Sequence, residues 1–354
     1  MPSLAELTTL RLGGPAARLM EADSESAIIA AVRAADADGQ PLLVLAGGSN
    51  VVVADDGFPG TVVRVTSRGV SAAAGRLEVA AGEPWDPFVA RCVGDGLAGI
   101  ECLSGIPGSV GATPIQNVGA YGQEVAETIV SVRVYDRTLE TVLEVPAAEC
   151  GFSYRSSAFK RTPGRWVVLA VTFELERSPD SRPVRYAALA RALGIAEGER
   201  APLSDVRAAV LALRRSKGMV IDPVDPDSVS AGSFFTNPVL DAAAFAELEE
   251  RTREWLGDGV RVPRFEQRDG SVKLPAAWLI ERAGFERGYG DPRTVAISGK
   301  HTLALTNRGD GTTAQLVALA REIAAAVHDR FGVELVPEPV FVGHRWSRVA
   351  QPSR

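Results

Sequence analysis

Ser104-Gly105-Ile106-Pro107-Gly108-Ser109-Val110-Gly111-Ala112-Thr113-Pro114-Ile115-Gln116-Asn117-Val118-Gly119-Ala120-Tyr121-Gly122 is too long and too apolar for a surface turn. Backbone this rich in glycine must lie close against something. The small residues permit close approach. Ser109 and Thr113 bring hydroxyls, Gln116 and Asn117 bring amides, and the prolines stiffen the path. A flat cofactor with polar edges would use all of these features. A glycine-rich structural loop packed on the core is the other reading.

Upstream, Gly47-Gly48-Ser49-Asn50 interrupts two valine-rich runs in PLLVLAGGSNVVVADDGFPGTVVRV (41–65), a pattern that predicts strand, tight loop and strand. Such glycines let several backbone N–H groups converge on one anion, and a pyrophosphate fits that nest. GGSN is also an ordinary turn, and both readings stand at this point. Valines follow it directly, so it is not the glycine pattern that opens a helix in the dinucleotide-binding fold.

Further out, residues 24–39 carry apolar positions at helical spacing behind a serine able to cap the first turn, and a glycine stops the run. Residues 62–82 and 128–175 read mainly as strands, as in TIVSVRVYD, TLETVLEV and RWVVLAVTFEL. Helices are expected at 86–96, 204–216, 241–257 and 312–331. The last two bracket the strands TVAISG and TLALTN, so the C-terminal third reads as an α+β unit with a boundary near 216. HRWSRVAQPSR at the end reads as a loose tail.

With 354 residues the chain is long enough for two or three domains. Hydrophobic residues at 46% and charged residues at 23% are the balance of a globular protein. A net charge of -6 with no basic stripe argues against nucleic acid as a partner. MPSLAELTTLRLGG has no signal-peptide pattern and no apolar stretch reaches about 18 residues, so a cytoplasmic protein that does not span a membrane is expected. Cys92, Cys102 and Cys150 match no zinc framework, and His301, His328 and His344 sit in no ligand pattern. No metal site is expected, and the odd cysteine count points to a reducing compartment.

TTLRLGGPA, LAGGSNVVV, LSGIPGSVGATPIQNVGAYG, CGFSYRSSAFK, RRSKGMVIDP, SAGSFFTNP, DGSVKLPAAWLIERAGF and EPVFVG occur in this order between about residues 7 and 343. Together they resemble the motifs of the UDP-N-acetylenolpyruvoylglucosamine reductase family, flavoenzymes of peptidoglycan synthesis. The resemblance implies an α+β fold: a two-subdomain flavin-binding unit of the vanillyl-alcohol-oxidase (PCMH) type, residues 1–66 and 67–216, followed by a substrate-binding domain at 217–343 and a tail at 344–354. It implies FAD cradled by Gly47, Gly48, Ser49, Asn50, Gly105, Ile106, Pro107, Gly108, Ser109, Gly111, Ala112, Thr113, Gln116, Asn117, Gly119, Ala120 and Tyr121. Neither glycine-rich motif holds histidine or cysteine, so the flavin is expected to be non-covalent.

The family's activity is NADPH-dependent reduction of UDP-N-acetyl-3-O-(1-carboxyvinyl)-glucosamine to UDP-N-acetylmuramate, a step of cell-wall biogenesis on which cell shape and division depend. Residue by residue, the resemblance gives Arg155 to the substrate carboxylate, Ser233 to proton donation and Glu338 to the active site beside that carboxylate. Arginine suits a carboxylate, because its planar fork donates in parallel and stays charged. Tyr154 would meet the substrate. Tyr186 matches the tyrosine-bearing loop of the longer family type, and Lys217 and Asn237 match positions that hold the nucleotide. Lys273, Lys300 and His301 lie in matching segments without an assigned contact. Two other functions remain open: a different FAD-linked oxidoreductase on the same fold, which would leave SAGSFFTNP and EPVFVG idle, and a non-catalytic nucleotide-sugar binding module.

Overall fold

The computed structural model describes residues 2–267 and 269–346. Residues 347–354 of the expected tail lie outside them. The chain divides into two units. One takes residue 2, residues 16–48 and 58–221, and the other takes 3–15, 49–57 and the described residues from 222 onward.

In the first unit the strand Phe58–Val65 is central in a three-stranded parallel sheet, flanked by Ala16–Ala22 and Leu42–Leu45. Residues 60–63 along it are all buried, the mark of a parallel strand covered on both faces. The helix Glu25–Ala37 packs there through Ile28, Ala31, Val32 and Ala35, the one-face spacing anticipated for 24–39. Ser24 caps it, its hydroxyl accepting from the Ala27 amide at 3.3 Å.

A five-stranded antiparallel sheet completes this unit, in the order Thr141–Pro146, Ile129–Asp136, Trp166–Glu174, Arg76–Ala80, Val70–Ala73. Trp85 and Phe88, from the helix Trp85–Gly94, close with Phe173 into an aromatic trio with ring centroids 5.4 to 6.1 Å apart. At the end of Ile129–Asp136 the buried Asp136 carboxylate accepts from Arg165 (2.7 and 2.9 Å), Trp166 Nε1 (2.9 Å) and the amides of Thr138 and Leu139. The Arg165 hydrogen bonds outweigh burial and hold its carboxyl at about 2.

The second unit joins three remote pieces of chain. Its antiparallel sheet runs Ser230–Ser233, Ala304–Asn307, Val295–Ile297, and the nineteen-residue helix Thr313–Phe331 packs against it. A capping box closes that helix's start, Thr312 accepting from the Gln315 amide while the Gln315 side chain accepts from Thr312 N–H. The helix Ala242–Leu256 lies beside it, with Asp241 as its cap.

The strands flanking GGSN do not pair with each other. Leu42–Leu45 belongs to the first unit's parallel sheet, whereas Val51–Val53 pairs in parallel with Val340–Val342 in the second. Hydrogen bonds across about 260 to 300 residues tie the early segments into the second unit: Asp55 accepts from the amides of Thr313 (2.7 Å) and Ala314 (2.8 Å), Thr313 Oγ1 donates to the Val53 carbonyl (2.6 Å), and Asn307 Nδ2 donates to the Leu10 carbonyl (3.1 Å). A valine run is a strand by local preference alone; its partner is chosen by contacts this far away.

Candidate functional site

The two glycine-rich loops meet backbone to backbone within the first unit. A Cβ built on Gly47 would lie 2.6 Å from Gly108 Cα, so no side chain fits at 47 without moving the second loop. Gly108 itself has φ +113°, which L side chains rarely adopt. The second loop is then fixed from beneath: the Trp85 amide donates to the Gly108 carbonyl (3.0 Å), Val110 N–H to Glu83 O (2.8 Å), and Trp85 Nε1 to the Leu103 carbonyl (3.1 Å). Asp86 holds its start, accepting from the Gly105 amide at 2.6 Å while Arg207 grips both its oxygens at 2.7 and 3.1 Å. Neither Asp86 nor Arg207 stood out in the sequence. The only available signal was an acid in the first turn of a predicted helix.

Ser109, expected to offer a hydroxyl, is 4% exposed, and its Oγ has no partner among the described residues. A buried polar atom left unpaired beside backbone pressed this close is what a bound polar molecule would satisfy. FAD, with its pyrophosphate and flat polar-edged ring system, fits such a cradle. Thr113 differs: its hydroxyl donates to the Val110 carbonyl at 2.8 Å. The Asn117 amide is spent within the fold, donating to Glu124 (2.7 Å) and Ser153 O (3.1 Å) and accepting from Ala126 N–H (3.2 Å).

Arg155 sits at the tip of a tight turn in which Ser153 and Ser156 exchange backbone hydrogen bonds of 3.0 and 3.1 Å. Its φ of +51° is unusual for a residue with a side chain, a strain that functional sites often store. The turn delivers its guanidinium to the second glycine loop, where Nη2 donates to Gly119 O (2.6 Å) and Nη1 to Asn117 O (3.3 Å). The same guanidinium lies 5.5 Å from the centroid of the Tyr154 ring. Tyr121, Tyr186 and Lys217 also gather in this unit, the two rings edge to face at 5.4 Å and the Lys217 ammonium 5.9 Å from the Tyr121 centroid. Burial, then the neighbouring Arg214 charge, push the Lys217 pKa below the usual lysine value, and burial raises that of the Tyr121 phenol.

In the second unit, Ser233 ends the strand Ser230–Ser233, next to Phe234 and Phe235, both 1% exposed. Residues 234–236 run antiparallel to 336–338: the Glu338 amide donates to Phe234 O (2.8 Å), the Thr236 amide donates to Val336 O (3.0 Å), and Phe235 bridges Pro337. Asn50 joins this seam, its Nδ2 donating to the Glu338 carbonyl (3.4 Å) and its own carbonyl accepting from Val340 N–H (2.9 Å). Ser49 O lies 3.4 Å from Thr9 Oγ1. Ser233, Glu338 and Asn50, remote in sequence, are thus held on adjoining backbone. Asn237 accepts from the Ala276 amide through Oδ1 (2.9 Å), at the start of the helix Ala276–Arg282.

No group of histidine, cysteine or acidic residues able to hold a metal ion occurs among the described residues, and all three cysteines are free and buried. No helix among them is long and apolar enough to cross a membrane.

Residues 16–145 match the FAD binding domain, and residues 223–342 match the C-terminal domain of UDP-N-acetylenolpyruvoylglucosamine reductase. Proteins named UDP-N-acetylenolpyruvoylglucosamine reductase from Thermobifida fusca and Streptomyces avermitilis are 59% and 56% identical to the chain, over 96% of it and 96% and 93% of their own lengths. Among solved structures, the reductase of that name from Thermus caldophilus superposes with a TM-score of 0.65 at 23% identity, covering 96% of this chain and 97% of that one. That last likeness speaks to the fold alone.

Proposed function

We propose, from the premise that this chain belongs to the UDP-N-acetylenolpyruvoylglucosamine reductase family, that it reduces UDP-N-acetyl-3-O-(1-carboxyvinyl)-glucosamine to UDP-N-acetylmuramate with NADPH, in peptidoglycan precursor synthesis. The observation that carries this reading is 59% identity over 345 residues, 96% of the chain, to a reductase of that name. FAD, non-covalently bound when present, supplies hydride transfer from NADPH to the terminal methylene of the enolpyruvyl group. Gly47, Gly48, Gly105, Gly108, Ser109 and Gly111 are the proposed cradle, bare backbone for the cofactor's close approach with the unpaired Ser109 hydroxyl toward its polar edge, the Gly105 and Gly111 amides being held by Asp86 and the Ala81 carbonyl. Ser49, Asn50, Ile106, Pro107, Ala112, Thr113, Gln116, Asn117, Gly119, Ala120 and Tyr121 complete the proposed flavin set, Asn117 by anchoring the loop.

Arg155 takes the substrate carboxylate. An enol ether accepts hydride poorly unless charge arising beside the carboxylate is stabilised, and a fixed guanidinium does this. Exchanging two neutral carbonyl partners for a carboxylate strengthens both hydrogen bonds of its fork. Ser233 Oγ donates the proton that completes reduction. Serine is a feeble acid in water, yet toward a strongly basic carbon a hydroxyl fixed by its strand can donate. Glu338, its backbone locked to Phe234 and Asn50, lies by this reading beside the substrate carboxylate. Tyr154, Tyr186, Lys217 and Asn237 bind the nucleotide sugar. Residues 1–66 and 67–216 serve the flavin and 217–343 the substrate, in a protein of the cytoplasm.

The purified protein is expected to be yellow, to bleach with NADPH, and to recover its colour when the enolpyruvyl nucleotide sugar is added. Bleaching by NADPH with no recovery would leave a flavoprotein of different substrate. A colourless protein that takes up no FAD would remove the reading altogether.

A further inference from the structure

The helix Leu203–Arg215 carries two arginines on one face, seven residues apart, and the structure treats them differently. Arg207 meets Asp86 through two hydrogen bonds, 2.7 and 3.1 Å. Arg214, one level further toward the helix end, is 8% exposed and forms no ion pair among the described residues. Its one side-chain hydrogen bond among the described residues runs from Nη2 to the Met219 carbonyl at 2.8 Å, and its buried Nε has no partner among them. Asp86 is the acid whose charge reaches it, and Asp86 is already committed to Arg207 and to the Gly105 amide. Lys217, three residues on and half-buried, adds a second positive charge. Two cations are therefore held close together, both partly stripped of water, and the acid whose charge reaches Arg214 is already paired with Arg207.

A buried charge without a counter-ion is strongly destabilising, and guanidinium resists escape by losing its proton. Arg214 also touches the glycine-rich loop: a Cβ on Gly105 would lie 3.4 Å from its Nε. We propose that Arg214 is a further anion-binding residue of this protein, donating from its guanidinium to the diphosphate of a bound nucleotide. It rests on the proposed function, which supplies two diphosphates of the same chemistry, that of FAD, suggested by the contact with Gly105, and that of the nucleotide sugar, suggested by Lys217. The Met219 hydrogen bond is the competing, structural role, in which Arg214 merely closes the turn after its helix.

Two variants separate these roles. Arg214→Gln keeps an amide donor for the Met219 carbonyl but removes the charge; Arg214→Lys keeps the charge. For each holoenzyme, FAD release on dilution is followed by flavin fluorescence, and binding of UDP-N-acetylglucosamine by the perturbed flavin absorption, both at two salt concentrations. Arg214→Gln is expected to weaken one of the two ligands at least about 10-fold and to flatten its salt dependence, with Arg214→Lys within about 3-fold of the parent. Weaker FAD retention identifies the cofactor's diphosphate; weaker UDP-N-acetylglucosamine binding with normal FAD identifies the substrate's. Parental affinities in Arg214→Gln, in a protein still yellow and turning over, would overturn the proposal while leaving the proposed function intact. Equal losses in both variants with an equally lowered melting temperature would overturn it too, assigning Arg214 to the turn.

Discussion

The glycine-rich loops of the first unit and the seam at 234–236 and 336–338 in the second prepare for chemistry by opposite means. At Gly47 and Gly108 the useful surface is backbone itself, bare because a side chain at 47 would collide and the φ at 108 disfavours one, and the second loop is held by hydrogen bonds to or from Trp85, Glu83 and Asp86. Around Ser233 and Glu338 the backbone is spent on antiparallel contacts, and the proposed chemistry falls to the side chains. A site made of absent side chains fails by addition. One made of present side chains fails by removal, with its scaffold left standing.

Gly47→Val tests the first half of that contrast and should have the largest effect. Its branched side chain starts 2.6 Å from Gly108 Cα, so the loops must part, and purified protein should contain essentially no flavin. Full flavin content would show that the loops are not the cradle. Ser233→Ala tests the second half. It should leave flavin content and flavin reduction by NADPH unchanged and slow flavin reoxidation by the enolpyruvyl substrate at least about 100-fold, the lower range for a positioned general acid. Stopped-flow traces resolve the two half-reactions, and reoxidation at the parent rate would move the proton donor elsewhere.

Asp55→Ala probes how the second unit is assembled. The carboxylate accepts two otherwise unsatisfied amides at the start of the helix Thr313–Phe331, so its loss should cost about 1 to 2 kcal/mol in urea unfolding. An unchanged midpoint would mean that the clamp carries no stability. Asp136 in the first unit is read through its pH dependence. Its folded pKa of about 2 lies below the ordinary 3.8, so its contribution is complete above about pH 4 and is lost as pH falls toward 2. Asp136→Asn should flatten the fall of the unfolding midpoint across that window; a parallel curve would place the acid sensitivity in other carboxylates.

Read by itself, the chain already determined what depends on near neighbours: the helix at 25–37 with its Ser24 cap, the helix at 313–331, the strands between 129 and 174, and the two glycine-rich loops. Local backbone preference and apolar spacing decide those, and both are written in consecutive residues. Ordered motifs were enough to indicate the family. Tertiary structure alone decided that Val51–Val53 pairs with Val340–Val342, that Asp55 meets the helix starting at Thr313, and that Asn50 bonds to Glu338. It alone decided that, of two arginines seven residues apart, Arg207 has a carboxylate partner and Arg214 has none among the described residues. Each of these is settled by a partner brought close in folding, and one sequence carries no record of which distant residue that partner will be.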